Sequence, residues 1–293
     1  TLRQTFVGVN FHDIYVRSGQ YRTLPLPGVP GIEGVGVVQR VGPGVQGFAP
    51  GDRVGYITAA YGCYARERVL PARLAVKLPE ALSDMTAASL LLKGLTVEML
   101  VEAVHRVRPG DWVLLQAAAG GVGRLLSQWA SRLGGRVIGT VGSPEKAEIA
   151  RASGCTEVIF YRREDVVERV KAITDGRGVD VAYDGVGQDT FAASLAALAP
   201  CAHLVNFGQA SGPVAPVEMS QLAARSTTLS RPVVFHYTAE RARLERMSAA
   251  LFAAVAAGWL SVDAADVFPL EEAAQAHRLL ESGQAVRPIV LQV

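Results

Sequence analysis

Residues 110–142 read GDWVLLQAAAGGVGRLLSQWASRLGGRVIGTVG. The apolar run Trp112-Val113-Leu114-Leu115 has the length and continuity of a buried parallel strand, bounded by the Pro109-Gly110-Asp111 turn. It empties into Ala117-Ala118-Ala119-Gly120-Gly121-Val122-Gly123. Val122, Leu125, Leu126 and Trp129 then recur at helical spacing, and Val137 to Val141 supply a second apolar strand. Strand, glycine turn, helix and strand make a βαβ unit. Its turn lies where a helix N-terminus offers free N–H groups and a positive dipole end to a pyrophosphate. Glycine is wanted there because a Cβ would clash with the phosphate and with the helix packing on the sheet. The pattern departs from G-x-G-x-x-G at its first position, which Ala118 holds, while Gly120 and Gly123 keep the second and third. Ala119, Gly120, Gly121, Val122 and Gly123 are therefore the candidate phosphate cradle, with a ligand-free tight turn as the alternative.

The end of the second strand indicates which dinucleotide. A free ribose 2′-OH is usually held by an Asp or Glu about 20 residues beyond the glycines. Here the chain reads Gly142-Ser143-Pro144-Glu145-Lys146. Glycine replaces the acid and leaves space, and a hydroxyl and an ammonium follow within one turn. That suits a dianionic 2′-phosphate, which a carboxylate would repel. Glu145 is expected to cap the helix start beside Pro144. NADPH is the expected cofactor, with Gly142, Ser143 and Lys146 around its 2′-phosphate.

The 293 residues fit two domains better than one. A 49% apolar fraction with 30 glycines suits an α/β protein with many tight turns. The net charge of +2, without a basic run or aromatics interleaved with lysines, offers nothing to nucleic acid. Cys63, Cys155 and Cys201 are too far apart for a C-x-x-C metal site or a disulfide framework, so a cytoplasmic location is expected. The apolar stretch Met247 to Val262 falls short of the ~20 residues a membrane span needs and reads as a packed helix.

Before residue 92, short strands alternate with Gly/Pro turns: Phe6–Val9, Ile32–Val41, Arg53–Tyr56, Tyr64–Val69 and Leu74–Lys77, with a short helix over 10–19 that Asn10 could cap. These predict a small antiparallel, barrel-like domain. After Gly142 a regular βα repeat continues: helix 145–152, strand 157–160, helix 165–174, strand 179–183, helix 190–198, strand 202–207, and a last strand over 227–234. Such a repeat is a doubly wound parallel sheet, which binds ligands at the carboxyl ends of its strands. Tyr161, Asp184-Gly185-Val186-Gly187 and Phe207-Gly208-Gln209 stand at such ends, Asp184 as a turn cap. One long helix is expected over 237–257, then a strand near 267–270, a helix over 271–281 carrying an ordinary His277, and a strand over 288–293.

Gly-Val-Asn-Phe-x-Asp-x-Tyr-x-Arg-Ser-Gly (8–19), Pro-Gly-x-Glu-Gly-x-Gly (30–36), Gly51-Asp52-Arg53-Val54, Lys93-Gly94-Leu95-Thr96 and Ala117–Gly123 occur together and in order. In this the chain resembles the zinc-independent quinone oxidoreductase (zeta-crystallin-like) family of the medium-chain dehydrogenase/reductase superfamily along its whole length. The resemblance implies a GroES-like catalytic domain (1–92 and 235–293), a Rossmann NADPH-binding domain (93–234) and a homodimer through the cofactor domain. It also implies that Tyr161 flanks the adenosine, that Phe207-Gly208-Gln209 passes the nicotinamide, and that Lys93 and Thr96 stand near the domain junction. The family begins roughly two strands upstream, so a truncated first domain with an open sheet edge is expected. Zinc-dependent relatives carry a Cys near Asn10, a Gly-His-Glu where this chain has Gly31-Ile32-Glu33, and a later Cys near Leu92. Asn, Ile and Leu hold those positions here, so no zinc Lewis acid and no alcohol dehydrogenation are expected, and Glu33 reads as structural.

Without a metal or a nucleophile pair, the simplest chemistry is NADPH hydride delivery to an electron-poor conjugated acceptor such as a quinone or enone. The protein then needs orientation and hydrogen-bond donors at the acceptor oxygen. Asn10, Asp13, Tyr15 and Tyr21 are the candidates, with Tyr15 favoured as orienting or proton-donating residue. Related enoyl-thioester reductases place a tyrosine donor where this chain has Tyr21, which makes 2-enoyl reduction the nearest alternative. A structural or RNA-binding crystallin-like role is the alternative of another class, disfavoured by the charge balance and the intact phosphate turn.

Overall fold

The computed structural model describes residues 1–293. The chain opens with β1 (Leu2–Gly8) and helix α1 (Phe11–Arg17), then β2 (Glu33–Val38), β3 (Arg53–Ile57), the short β4 (Glu67–Arg68), β5 (Ala75–Lys77) and α2 (Asp84–Glu98). A second set follows: β6 (Trp112–Leu115), α3 (Gly121–Arg132), β7 (Arg136–Val141), α4 (Pro144–Ala152), β8 (Cys155–Phe160), α5 (Val166–Ile173), β9 (Val179–Asp184), α6 (Phe191–Ala196), β10 (Leu198–Asn206), α7 (Met219–Ala223) and β11 (Thr228–Ser230). The chain returns through α8 (Val234–Tyr237), α9 (Arg241–Ala256), β12 (Asp266–Pro269), α10 (Ala273–Glu281) and β13 (Ile289–Gln292).

These elements divide into two units. One comprises Thr1–Leu95, Phe235–Ala256 and Ser261–Val293, the other Thr96–Val234 and Ala257–Leu260. Lys93 to Leu95, expected in the second domain, thus fall in the first. Gly94 explains it, since a Cβ there would stand 2.4 Å from Leu251 on α9.

The first unit carries a seven-stranded sheet in the order β12-β13-β1-β2-β3-β5, with β4 also on β1. Its pairs are antiparallel except β12 with β13. β1 is flanked by β13 on one side and β2 on the other, so it is not an edge of this sheet. Val7, Val54, Tyr56 and Leu291 close the core beneath it.

The second unit is a parallel sheet in the order β11-β10-β9-β6-β7-β8, as a doubly wound repeat requires. Leu114, Ile138, Ile159, Ala182 and Leu204 form one of its cores with Val170 of α5. β10 starts earlier than the apolar pattern suggests, with a register shift between Leu198 and His203. Pro200 has no N–H to pair and Cys201 sits at φ 62°, which accounts for the irregularity. β11 stops at Ser230, short of the expected Val234, because Pro232 cannot continue a ladder. The expected long helix from 237 is broken into α8 and α9.

Candidate active site

In the first unit, β1 ends beneath a carboxylate. A Cβ on Gly8 would lie 2.1 Å from Glu33 Oε2, so only glycine fits under Glu33. The fully buried Glu33 accepts the Leu92 N–H on Oε1 (2.6 Å) and the Asn10 side-chain amide on Oε2 (3.0 Å). Lys93 Nζ lies 4.0 Å from the same Oε2 and makes no hydrogen bond. Glu33 is therefore structural in the strict sense: it anchors an amide, a backbone N–H and a buried ammonium. Burial pushes its carboxyl above the usual range, opposed first by the Lys93 charge. No group of three or more His, Cys, Asp or Glu is arranged to hold a metal ion.

Asn10 begins α1, and Asp13 three residues on reaches back to accept its backbone N–H at 2.9 Å. The Asn10 amide is engaged by Glu33. Asp13 Oδ2 also faces the Tyr64 hydroxyl at 3.3 Å, while Oδ1 is buried without a partner. Burial raises the Asp13 carboxyl to about 7, with the Glu33 charge adding and Asn10, Tyr64 and Lys93 opposing. A raised folded-state value contributes stability that is present below about pH 4 and lost as pH rises through about 7. Urea unfolding at pH 5 and pH 8 should therefore show a steeper loss in the wild type than in Asp13→Asn. Equal slopes would refute the assignment.

One helical turn from Asp13 the aromatic residues gather. Tyr15 is buried, its ring centroid 5.0 Å from Tyr21 and 6.2 Å from Phe11, and its carbonyl accepts the Tyr21 N–H at 2.9 Å. His12 packs edge-on to Tyr21 at 5.4 Å and bonds the Tyr61 hydroxyl at 3.2 Å. Burial lowers His12 to about 4, so the ring is neutral at pH 7. Asn10, Asp13, Tyr15 and Tyr21 all lie in the first unit, Asn10 and Asp13 bonded to one another and to Glu33 and Tyr64, Tyr15 and Tyr21 packed ring to ring. His12, Tyr61 and Tyr64 join them without a periodic signal, although Tyr61 at φ 56° carries backbone strain of the kind found at binding sites.

In the second unit, β6 delivers the chain to the glycine turn. Gly120 is the N-cap of α3, with its N–H on the Ala117 carbonyl at 2.9 Å. A Cβ on Gly123 would sit 2.4 Å from Ala117 O and 2.8 Å from Ala118 O, so this glycine seats α3 on the turn. Ala118 is tolerated at the first glycine position because Gly139 of β7 leaves room for its methyl group; a Cβ there would lie 2.6 Å away. Ala119, Gly120, Gly121, Val122 and Gly123 form this turn and the first turn of α3, whose N–H groups no intrahelical carbonyl can use.

At the end of β7, a Cβ on Gly142 would lie 2.7 Å from the Tyr161 hydroxyl, so the space left by the missing acid borders that tyrosine. Ser143, rather than Glu145, caps α4: its Oγ accepts the Lys146 N–H at 3.4 Å. The hydroxyl wins because it sits one residue before Pro144, the first helical position. The Ser143 hydroxyl in turn holds the Glu145 carboxyl below its usual range. Asp184 caps its turn as expected, with the Val186 and Gly187 N–H groups on Oδ1 and the Ser194 hydroxyl on Oδ2. Gly185 and Gly208 let the two strand ends meet: a Cβ on Gly208 would stand 2.4 Å from Gly185 O, and one on Gly185 would strike the Phe207 ring at 2.8 Å. Gln209 and Thr96 belong to this unit, Lys93 to the first.

A mainly antiparallel sheet unit followed in the same chain by a doubly wound parallel sheet with a glycine turn at its first βα junction is the make-up of two-domain, dinucleotide-dependent oxidoreductases. Residues 1–80 match the model of the alcohol dehydrogenase GroES-like domain, and residues 121–253 match that of zinc-binding dehydrogenases. The chain is 43% identical to a 2-haloacrylate reductase from a Burkholderia species, over 99% of this chain and 89% of the relative. It is 44% identical to a quinone oxidoreductase from Salmonella typhimurium, over 94% and 85%. The crystal structure of Escherichia coli quinone oxidoreductase complexed with NADPH superposes with a TM-score of 0.96 at 40% identity, covering 100% of this chain and 90% of that one. The chain belongs to the quinone oxidoreductase family of the medium-chain dehydrogenase/reductase superfamily.

Proposed function

We propose that the protein is an NADPH-dependent reductase of quinones or related conjugated carbonyls. The observation that carries this reading is the end of β7, where Gly142 replaces the acid that would hold a ribose hydroxyl and Lys146 follows on α4. The cofactor fits the residues present. Ala119 to Gly123 would receive the pyrophosphate at the start of α3, Gly142, Ser143 and Lys146 the 2′-phosphate, and Tyr161 the adenosine. Gly185, Phe207, Gly208 and Gln209 would border the nicotinamide on the second unit. Bound there, NADPH would supply hydride. Tyr15 and Tyr21 would orient a flat acceptor against their rings, with the buried Asn10 and Asp13 fixing the start of the helix that carries Tyr15. The edge strand β11, paired on one side only, is where a second copy would add to form a homodimer.

A second reading is reduction of an activated C=C bond, as in a 2-enoyl thioester or a substituted acrylate. The 43% identity to a 2-haloacrylate reductase favours it, with Tyr21 as donor. Purified protein given NADPH with 1,4-benzoquinone, crotonyl-CoA or 2-chloroacrylate, with NADH in parallel, separates the two. Quinone turnover favouring NADPH supports the first reading, turnover with the alkenes alone supports the second, and failure to bind NADPH sinks both. Lys146→Ala should weaken NADPH by roughly tenfold or more and leave NADH unchanged, because one charge-assisted phosphate contact is worth about 1.5–3 kcal/mol. Equal losses in Kd for both cofactors would remove Lys146 from the 2′-phosphate.

A further inference from the structure

At the carboxyl end of the second sheet, an arginine from beyond the edge strand reaches over the loop that the NADPH reading gives to the nicotinamide. Arg231 directly follows β11. Its Nη1 donates to the Asn206 carbonyl at 3.0 Å, to Asn206 Oδ1 at 2.8 Å and to the Gly208 carbonyl at 3.1 Å. Asn206, the last residue of β10, is buried. A guanidinium has only donors, so the amide must turn its oxygen toward Arg231. Its nitrogen then faces the strand ends, donating to the Gly208 carbonyl at 3.1 Å and to the Asp184 carbonyl at 3.3 Å. The Asp184 carbonyl also accepts the Phe207 N–H at 2.8 Å, and the Gly185 carbonyl accepts the Ala210 N–H at 3.2 Å. The Phe207 ring lies against Gly185 in the same clasp, too close for a side chain there.

We infer that Arg231 is a positioning residue for the nicotinamide half of the cofactor, acting through Asn206 on the Phe207-Gly208-Gln209 loop; this rests on the NADPH reading of the second unit. Gly208 has no side chain, and a Cβ there would meet the Gly185 carbonyl at 2.4 Å, so its place is set through its backbone. Its carbonyl is held by two donors, the Arg231 guanidinium and the Asn206 amide, and the second is aimed by the first. A loop fixed before the ligand arrives binds without the entropic cost of ordering it. Arg231 itself is exposed, so its loss removes the clamp without opening a cavity in the core. The adenosine half falls to other strands. Gly142, Ser143 and Lys146 follow β7, which lies three strands from β10 in the sheet, roughly 14 Å away. The two halves of the cofactor can therefore be tested separately.

The experiment is isothermal titration of the full chain with NADPH and with 2′,5′-ADP, which has the adenosine and the 2′-phosphate but no nicotinamide. Arg231→Ala should weaken NADPH about tenfold, the effect of losing one charge-assisted bond, and leave the Kd for 2′,5′-ADP unchanged. Ethylguanidine, a free guanidinium, should restore NADPH binding to Arg231→Ala. Asn206→Asp keeps the oxygen that Arg231 binds but sets a second oxygen against the Asp184 and Gly208 carbonyls. It should show the same selective loss, with no response to ethylguanidine. Equal losses of NADPH and 2′,5′-ADP would mean damage to the whole unit and overturn the positioning role. So would an Arg231→Ala variant that binds NADPH as the wild type does. A wild type that binds neither ligand overturns the NADPH reading instead, so the two failures are told apart.

Discussion

Glu33→Leu should destabilise the first unit by about 3–5 kcal/mol, the usual cost of leaving a buried charge without its partner. The carboxylate is fully buried and is the counter-ion of Lys93, whose Nζ has no hydrogen bond to fall back on. Removing it also takes away the carboxylate that receives the Leu92 N–H and leaves the Asn10 amide only the longer bond to the Gly8 carbonyl, at 3.4 Å. Lys93→Met added to Glu33→Leu should recover much of the loss, since the pair can be replaced by apolar groups at lower cost than it can be broken. Urea unfolding of the full chain measures both. A single-variant loss under about 1 kcal/mol, or a double variant no better than the single, would show that Glu33 is not the anchor of this cluster.

Gly123→Val should abolish useful cofactor binding while leaving the first unit folded. Its Cβ would be 2.4 Å from a backbone carbonyl, which cannot give way as a side-chain tip could, so α3 must move off the turn. The first-turn N–H groups then no longer converge. Losing two such charge-assisted bonds at about 1.5–3 kcal/mol each weakens binding on the order of 10²-fold or more. Isothermal titration with NADPH reads this directly. A Kd within tenfold of wild type would mean that the nucleotide does not use this turn. Gly120→Ala is the milder companion, with a Cβ 3.2 Å from Ala117 O, and should cost less.

The second unit was the most legible part of the chain. Parallel strands buried on both faces read as apolar runs, and the turn between them needs its glycines at fixed local spacing, so residues 110–142 carry their own explanation. Departures came where local features compete: Ser143 took the cap expected of Glu145, and Pro200, Cys201 and Pro232 reset the bounds of β10 and β11. The first unit was legible through its motif residues, because Gly8, Asn10, Asp13 and Tyr15 lie within eight positions on β1 and α1. The partners of those residues were not.

The sequence by itself determined the two-domain class, the glycine turn before α3 and the residues at the end of β7, all of which rest on neighbours along the chain. Only the tertiary structure decided what surrounds Asp13. Tyr64 reaches it across 51 positions and His277 reaches Tyr64 across 213, so no periodicity or spacing links them. His277 reads as an ordinary helix histidine until α10 sets its ring against Tyr64 and Arg17. Hydrogen-bond direction, burial and the raising of a carboxyl depend on which groups meet in space, and long-range packing of the first sheet settles that.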